Sequence, residues 1–349
     1  MSVPGTPILE VRGVTMRFGG LVANENVDLS IARGQIFAVI GPNGAGKTTL
    51  FNAITGIYPP TEGTVLFDGH AIEREWTGRS LRRAIVVGAT SAAVAVVGLN
   101  ATHLWKHVIV SNYVYGESFP WGKAVGDFFG GLAGTGWLGG VLPAVLGFAI
   151  GVMAFVAIWK SQRRTPDMIA RGGIARTFQN IRLFPEMNLV ENVLVGMDQH
   201  FRSGFFSCLF RPPWFWKEKE AMRRKAYELL RFVNLERSAA ELARNLPYGH
   251  QRRLEIARAL ATGPKLILLD EPAAGMNPSE SADLMALIRR IRESGVTVVL
   301  IEHDMKVVMG ISDRVAVLQY GKKIAEGTPE EIKRDPVCIQ AYLGTEVLG

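Results

Sequence analysis

The sequence predicts an α/β fold built on a mainly parallel sheet, and three observations carry that expectation. Short apolar runs, IFAVI (36–40), LILLD (266–270) and VTVVLIEH (296–303), have the continuous hydrophobicity of strands buried on both faces. Amphipathic helical patterns alternate with them, as they do when helices cover both sides of a sheet. A glycine-rich loop, GPNGAGKT, follows the first run directly.

Along the chain, ILEVRGVTMRF (8–18) and VDLSI (27–31) alternate apolar and polar residues, as half-buried strands do, with a turn at Gly34 before IFAVI. QRRLEIARAL (251–260) puts Leu254, Ala257 and Leu260, with Ala261, on one helical side. SADLMALIRRIRESG (281–295) is periodic, with Ser279 or Glu280 near its start and Gly295 as its stop. RVAVLQYGKKIAEG (314–327) reads as a strand, a turn at Gly321 and a return strand.

Composition narrows the function classes. The 349 residues are enough for roughly two domains. Only two cysteines occur, Cys208 and Cys338, far apart and with no CxxC or Cys/His company, so neither a disulfide framework nor a zinc site is indicated. The net charge of +7 is spread through Arg pairs without interleaved aromatics, so no nucleic-acid surface is expected. The opening MSVPGTPILEVRG lacks the basic-then-apolar pattern of a secretory signal.

One region departs from the α/β pattern. Ala84 to Trp105 carries no acidic or basic side chain other than His103, and Phe128 to Trp159 carries no charge. Helices over 84–105 and 137–159 would each reach ~33 Å at ~1.5 Å per residue, enough to cross a hydrocarbon core. Arg79, Arg82 and Arg83 precede the first stretch, and Lys160, Arg163 and Arg164 follow the second. The intervening loop has only Lys106 and Lys123 against Glu117 and Asp127, so the charge bias keeps both ends of the hairpin cytoplasmic. A buried or surface-adsorbed helical hairpin is the competing reading.

Four motifs carry chemistry. In GPNGAGKT (Gly41, Pro42, Asn43, Gly44, Ala45, Gly46, Lys47, Thr48), glycines let backbone N–H groups close around phosphates. Lys47 supplies charge to the β- and γ-phosphates, the Thr48 hydroxyl suits Mg²⁺, and a helix starting near Gly46 aims its positive end at a nucleotide. In LILLDEP, Asp270 at a buried strand's end suits Mg²⁺, and Glu271 beside it could orient or deprotonate the attacking water. In LPYGHQRRLEIARAL a glycine-containing turn opens a helix and offers an anion site, although Arg252 and Arg253 read equally as a solvated face. His303 can hydrogen-bond a phosphate oxygen or water, or can be an ordinary loop histidine.

Together and in this order, these residues resemble the nucleotide-binding subunits of ABC transporters. Gly41 to Thr49 resemble the Walker A loop and Leu266 to Glu271 the Walker B strand, and Gln179 in RTFQN matches the Q-loop glutamine. Leu246 to Gln251, with Tyr248, Gly249 and His250, match the signature motif, His303 the switch histidine, and Phe18 the aromatic that stacks on adenine. The resemblance implies ATP and Mg²⁺ as ligands. Thr48, Gln179 and Asp270 fall at the metal, and Glu271, His303 and Lys47 in catalysis. It also implies head-to-tail dimers, each ATP lying between one subunit's Walker A and the other's signature.

GIARTFQNIRLFPEMNLVENVLVG, LPYG and the C-terminal AEGTPEEI…DPVCIQAYLG resemble the ATPases of bacterial branched-chain amino acid importers. These pair two ATPase subunits with two permeases and a periplasmic binding protein, at the cytoplasmic face of the inner membrane. The implied fold is a P-loop NTPase of ABC type with a β-rich subdomain, a RecA-like core and a helical subdomain at about 181–262. The nucleotide-binding domain would comprise 1–75 and 165–349, interrupted by an inserted all-α transmembrane hairpin (76–164) that the family lacks.

Three further departures stand out. Pro247 replaces the signature serine that usually donates to the γ-phosphate, His250 a glutamine, and Asn277 the D-loop aspartate. A non-transport ABC ATPase would carry long coiled coils or two fused halves, and neither is visible. Lys47, Asp270, Glu271 and His303 argue against an inactive scaffold. Urea, amides or lipid are alternatives to leucine-type substrates. The aromatic cluster Phe201 to Glu220 could pack on a permease, lie at a membrane interface, or form core.

Overall fold

The computed structural model describes residues 7–72, 76–161, 165–201, 203 and 205–346. They divide into two compact units, one holding 7–72 and 165–346 and the other 76–161.

The first unit opens with β1 (Leu9–Phe18), β2 (Leu21–Ile31), β3 (Ile36–Ile40), α1 (Lys47–Ile54), β4 (Glu62–Phe67) and β5 (His70–Ala71). The chain then forms the second unit, α2 (Gly78–Leu99), α3 (Ala101–Val108), α4 (Trp121–Ala133) and α5 (Leu142–Ser161). It returns as α6 (Pro166–Gly172), β6 (Ile174–Arg176), α7 (Leu189–Gly196), α8 (Phe205–Phe210), α9 (Pro213–Phe232) and α10 (Tyr248–Leu260). It finishes with β7 (Leu266–Asp270), α11 (Pro278–Glu293), β8 (Thr297–Ile301), α12 (Met305–Ile311), β9 (Arg314–Gln319), β10 (Lys322–Gly327), α13 (Pro329–Arg334) and α14 (Pro336–Glu346).

Two sheets result. β2-β1-β4-β5 is antiparallel. The larger sheet runs β10-β9-β3-β8-β7-β6 and is parallel except for the β9–β10 hairpin. That hairpin turns on Tyr320 (φ 47°) and Gly321 (φ 79°), two left-handed residues that match the twist of the flanking strands. β3, β7 and β8 are buried along their whole length, as their unbroken apolar runs require.

Successive side chains of these strands serve different cores. Ile36, Ala38 and Ile40 join α10 and α11 in one core, while Phe37 and Val39 join α1 and the antiparallel sheet in the other. Each fully buried Leu, Ile or Phe contributes about 1.5–3 kcal/mol of hydrophobic stabilisation. α11 begins at a capping box in which Asn277 accepts from the Glu280 N–H and Glu280 accepts from the Asn277 N–H. Its stripe Leu284, Leu287, Ile288 and Ile291 is buried. At the start of α9, Trp214 and Trp216 remain half exposed, and Leu209 and Phe210 just before it are more exposed still, so this part of the aromatic cluster is not core.

The second unit corrects the expected helix boundaries. The stretch 84–105 is not one helix. α2 starts six residues earlier, where the Thr77 hydroxyl accepts from the Ser80 N–H. A first turn of arginines carries no hydropathy signal but is fully compatible with helix. α2 ends at Asn100, whose Nδ2 donates to Val96 O (2.8 Å) and Gly139 O (2.7 Å), and α3 begins there. The stretch 137–159 opens as a π-turn over Trp137–Val141 before α5. α4, a Gly- and aromatic-rich segment read as loop, is helical. The unit is thus two packed pairs, α2 with α5 and α3 with α4.

α2 and α5 meet through small residues. A Cβ at Gly147 would lie 2.8 Å from Ala95 Cβ and from Ser91 O, and one at Gly151 2.5 Å from Ser91 Oγ. A Cβ at Gly88 would press on the Phe148 ring at 2.8 Å. Bulky side chains, among them Ile85, Val94, Leu99, Val145, Ile150 and Met153, point outward and are exposed. At one end Trp76 packs edge-on against Trp159 at 4.6 Å.

A Gly151→Leu variant should therefore force α2 and α5 apart at a cost of about 1–3 kcal/mol. Limited proteolysis of the full chain in detergent is expected to cut within 76–161 faster than in the parent. Unchanged resistance would contradict the small-residue seam.

Candidate functional site

The parallel neighbours β3, β8, β7 and β6 place their C-terminal ends along one edge of the sheet, the edge at which such sheets bind ligands. The loop Gly41–Gly46 leaves β3 there and enters α1. Gly46 has φ +93°, and a Cβ on it would meet Asn24 Nδ2 at 2.5 Å, so conformation and crowding both demand glycine. Asn24 Nδ2 also donates to Gly46 O at 3.2 Å.

Lys47 is the first residue of α1 and is buried. Its ammonium curls into the loop, donating to Gly41 O (2.8 Å) and Pro42 O (3.1 Å). Burial pushes its pKa below the usual lysine value, and the Glu271 and Asp270 carboxylates partly offset that. Thr48 is exposed and Thr49 half-buried on the first turn. Their N–H groups, with that of Lys47, have no intrahelical acceptor and remain available to an anion. Asn43 and Gly44 are exposed at the loop's tip, and Ala45 is buried beneath it.

Asp270 ends β7, buried, and Oδ2 accepts from Arg176 Nη2 at 2.7 Å. Glu271 follows with φ +45°, a left-handed conformation costing of order 1–3 kcal/mol in a non-glycine residue. Its N–H donates to Ile301 O at 3.0 Å. The Glu271 carboxylate accepts from Gln179 Nε2 at 2.9 Å, and His303 Nδ1 lies 3.9 Å from the same oxygen. The fold therefore gathers Lys47, Asp270, Glu271, Gln179 and His303 from four loops. His303 sits two residues beyond the end of β8 and is exposed.

Other sequence-selected residues lie apart. Phe18 ends β1, exposed and edge-on to Tyr58 at 5.4 Å. Tyr248, Gly249 and His250 open α10 after Pro247, and Gly249 is buried against Glu280. Among the described residues no hydrogen bond, ion pair or ring contact joins Tyr248–His250 to residues 41–49. Asn277, where aspartate was expected, serves as the N-cap of α11, a position that asparagine and aspartate fill equally well.

Three groups escaped the sequence reading. Arg252 is not on a solvated face but fully buried, donating to Phe178 O (2.6 Å), Gln179 O (2.8 Å) and Glu255 Oε2 (2.8 Å). Glu255 accepts from the Phe178 N–H at 3.3 Å, so the helix that begins at Tyr248 grips the backbone around Gln179. The i,i+3 spacing of Arg252 and Glu255 was the available signal. Arg253 does reach the surface, donating to Asp283 at 2.8 Å. Arg176 is the second group. The third is Glu302, buried, which accepts from the Ala273 N–H (2.8 Å) and the His303 N–H (3.2 Å). Beside Gln179, a cavity of about 690 Å³ is walled by Ile57, Phe178, Phe184, Val195 and Arg258.

The donor set suits Mg·ATP. Backbone amides, a buried ammonium and a helix N-terminus address phosphate, while the Thr48 hydroxyl and the Asp270 carboxylate are hard oxygen donors. Among the described residues no three His, Cys, Asp or Glu side chains cluster to hold an ion alone. An ion completed by phosphate and water fits that arrangement.

Comparison with known proteins agrees for the nucleotide. The "ABC transporter" family model matches residues 24–110 and 158–274, leaving 111–157 within the second unit unmatched. A model for the "Branched-chain amino acid ATP-binding cassette transporter" matches 322–347. The chain is 40% identical to the high-affinity branched-chain amino acid transport ATP-binding protein BraF of Pseudomonas aeruginosa, covering 97% of this chain and 98% of that protein. It is 38% identical to the corresponding protein LivG of Escherichia coli K12, with the same coverage. Among solved structures, a nucleotide-free ATP-binding cassette from an ABC transporter superposes with a TM-score of 0.62 at 26% identity, covering 97% of this chain and 99% of that one. An ADP conformation of an ABC transporter cassette gives 0.63 at 25%, with the same coverage.

Burial pushes the Glu302 carboxyl above its usual value of 4.5. Because the folded protein then binds this proton more tightly than the unfolded chain, the group's stabilising share is present at low pH and is lost as pH rises through the raised value. The melting temperature of Glu302→Gln relative to the parent should therefore increase as pH climbs from about 4.5 towards neutrality. A pH-independent difference in thermal melts would show that Glu302 does not titrate in this way.

Proposed function

The chain belongs to the ABC transporter family as an ATP-binding subunit that hydrolyses ATP for transport, and we propose that its system imports branched-chain amino acids. The support is the name shared by its relatives and the family model on residues 322–347. Urea, amides and other small solutes are the competing cargoes, and uptake assays with the reconstituted system distinguish them.

One observation carries the catalytic assignment: Gln179 and His303 converge on the Glu271 carboxylate, next to the buried Lys47 ammonium. Lys47 and the amides of 43–49 hold the triphosphate. Phe18 stacks on the base. Glu271 orients and deprotonates the attacking water, with His303 steering the γ-phosphate. Thr48, Asp270 and Gln179 would hold Mg²⁺, which would supply positive charge to neutralise the phosphates.

The turn at Tyr248, Gly249 and His250 addresses the nucleotide of a second ATPase subunit. With Pro247 in place of a serine, the backbone N–H groups of Tyr248 and Gly249 carry that contact, while the His250 N–H donates to Pro247 O at 3.0 Å. The apolar cavity beside Gln179 receives a permease segment, and a solute-binding protein delivers cargo to the permease.

For the second unit the reading is a membrane hairpin. α2 and α5 approach closely through Gly88, Ser91, Ala95, Gly147 and Gly151, with Phe148 and Val152 over Gly88, while many bulky apolar residues face away, as in membrane helices. Both are long and apolar enough to cross a bilayer. Arginines and a lysine at the two chain ends keep those ends cytoplasmic, so the hairpin anchors the motor beside its permease.

Two experiments test these readings. Glu271→Gln should retain ATP binding and lose at least about 100-fold in turnover, and Lys47→Ala should lose ATP affinity. Wild-type turnover in either variant would remove the catalytic assignment. The chain expressed alone should stay in membranes through an alkaline carbonate wash, whereas full release ends the anchor reading.

A further inference from the structure

Arg176 ends β6, three residues before Gln179, and opens the RTFQN motif without a role of its own in the sequence analysis. Its side chain is 7% exposed and sits where three elements meet. Nη2 donates to Asp270 Oδ2 at 2.7 Å, at the end of β7. Nη1 donates to Asn52 Oδ1 at 2.6 Å and Thr55 Oγ1 at 3.2 Å, both on or just after α1. The guanidinium carbon lies 5.7 Å from the Phe51 ring centre and 5.3 Å from that of Phe178. The planar fork is thus held by hydrogen bonds on two sides and by aromatic rings on α1 and in the Q-loop. Asp270 Oδ1 has no partner among the described residues.

We propose that Arg176 is a positioning residue for the metal-binding carboxylate: it pins Asp270 by Oδ2 and thereby leaves Oδ1 for the ion. This rests on the reading of Asp270 as a Mg²⁺ ligand given above. A buried carboxylate deprived of its partner turns toward whatever donors it can reach, because an unpaired buried charge is costly. Arginine's rigid fork can satisfy Asp270, Asn52 and Thr55 simultaneously, whereas lysine's single ammonium cannot reproduce that geometry. Pairing also sets a counter-effect, because a cation beside the site repels Mg²⁺. The two effects predict opposite outcomes on substitution, so the sign of the change decides between them.

The experiment uses the full-length chain with a fluorescent ATP analogue, titrated with Mg²⁺ from an EDTA baseline, and Mn²⁺ electron paramagnetic resonance to count the bound ion directly. Asp270→Asn should raise the Mg²⁺ needed for half-maximal effect, and failure of that control would remove the Mg²⁺ reading itself. With the control in place, Arg176→Lys and Arg176→Gln should each raise the Mg²⁺ requirement about tenfold, the scale of one charge-assisted hydrogen bond. Asn52→Ala, which keeps the charge and removes an anchor, should shift it the same way by less. Nucleotide affinity in EDTA should stay at the parental level in the Arg176 and Asn52 variants, which also shows that they fold. An unchanged Mg²⁺ requirement in Arg176→Lys and Asn52→Ala, or tighter Mn²⁺ binding in Arg176→Gln, overturns the proposal.

Discussion

The constraint on which the remaining structure depends is the parallel pairing of β3, β8, β7 and β6. Because neighbouring strands run the same way, four loops emerge at one edge, bringing the glycine loop, Glu302–His303, Asp270–Glu271 and Gln179 together from positions more than 200 residues apart in the chain. Burial of β3, β7 and β8 between two cores makes that pairing rigid. A one-residue slip would send every apolar side chain to the wrong core.

Charge is buried sparingly and to geometric purpose. Arg252 with Glu255, and Arg176 with Asp270, are both buried ion pairs. Such pairs contribute little net stability, because desolvation offsets their attraction, yet breaking one leaves a stranded charge. Both act on the segment around Gln179: Arg252 and Glu255 bind its backbone from α10, and Arg176 leads into it from β6. Glu271 in a left-handed conformation adds local strain that the Ile301 hydrogen bond and the surrounding core hold in place.

The second unit obeys the opposite rule of burial. In the first unit large apolar residues are inside, while much of the seam between α2 and α5 is glycine, serine and alanine, with Phe148 and Val152 over Gly88. Water disfavours such an arrangement, because it leaves rows of valine, isoleucine and leucine exposed. A hydrocarbon solvent imposes no such penalty and rewards close backbone approach instead.

The sequence by itself determined the α/β class, because apolar runs as short as IFAVI and LILLD, alternating with amphipathic helical patterns, fit strands buried on both faces, and it singled out the glycine loop, whose glycines and lysine are adjacent in the chain. It pointed to Glu271 and His303 one at a time, and to Gln179 only through the family resemblance. Only the tertiary structure decided that the three share one carboxylate, since contact between distant loops leaves no local pattern. It also decided that Arg252 is buried beside Glu255, that Asp270 faces Arg176, and that 84–105 breaks at Asn100. In each case a polar side chain found a partner through packing, and neither hydropathy nor periodicity records which partner a charge will meet.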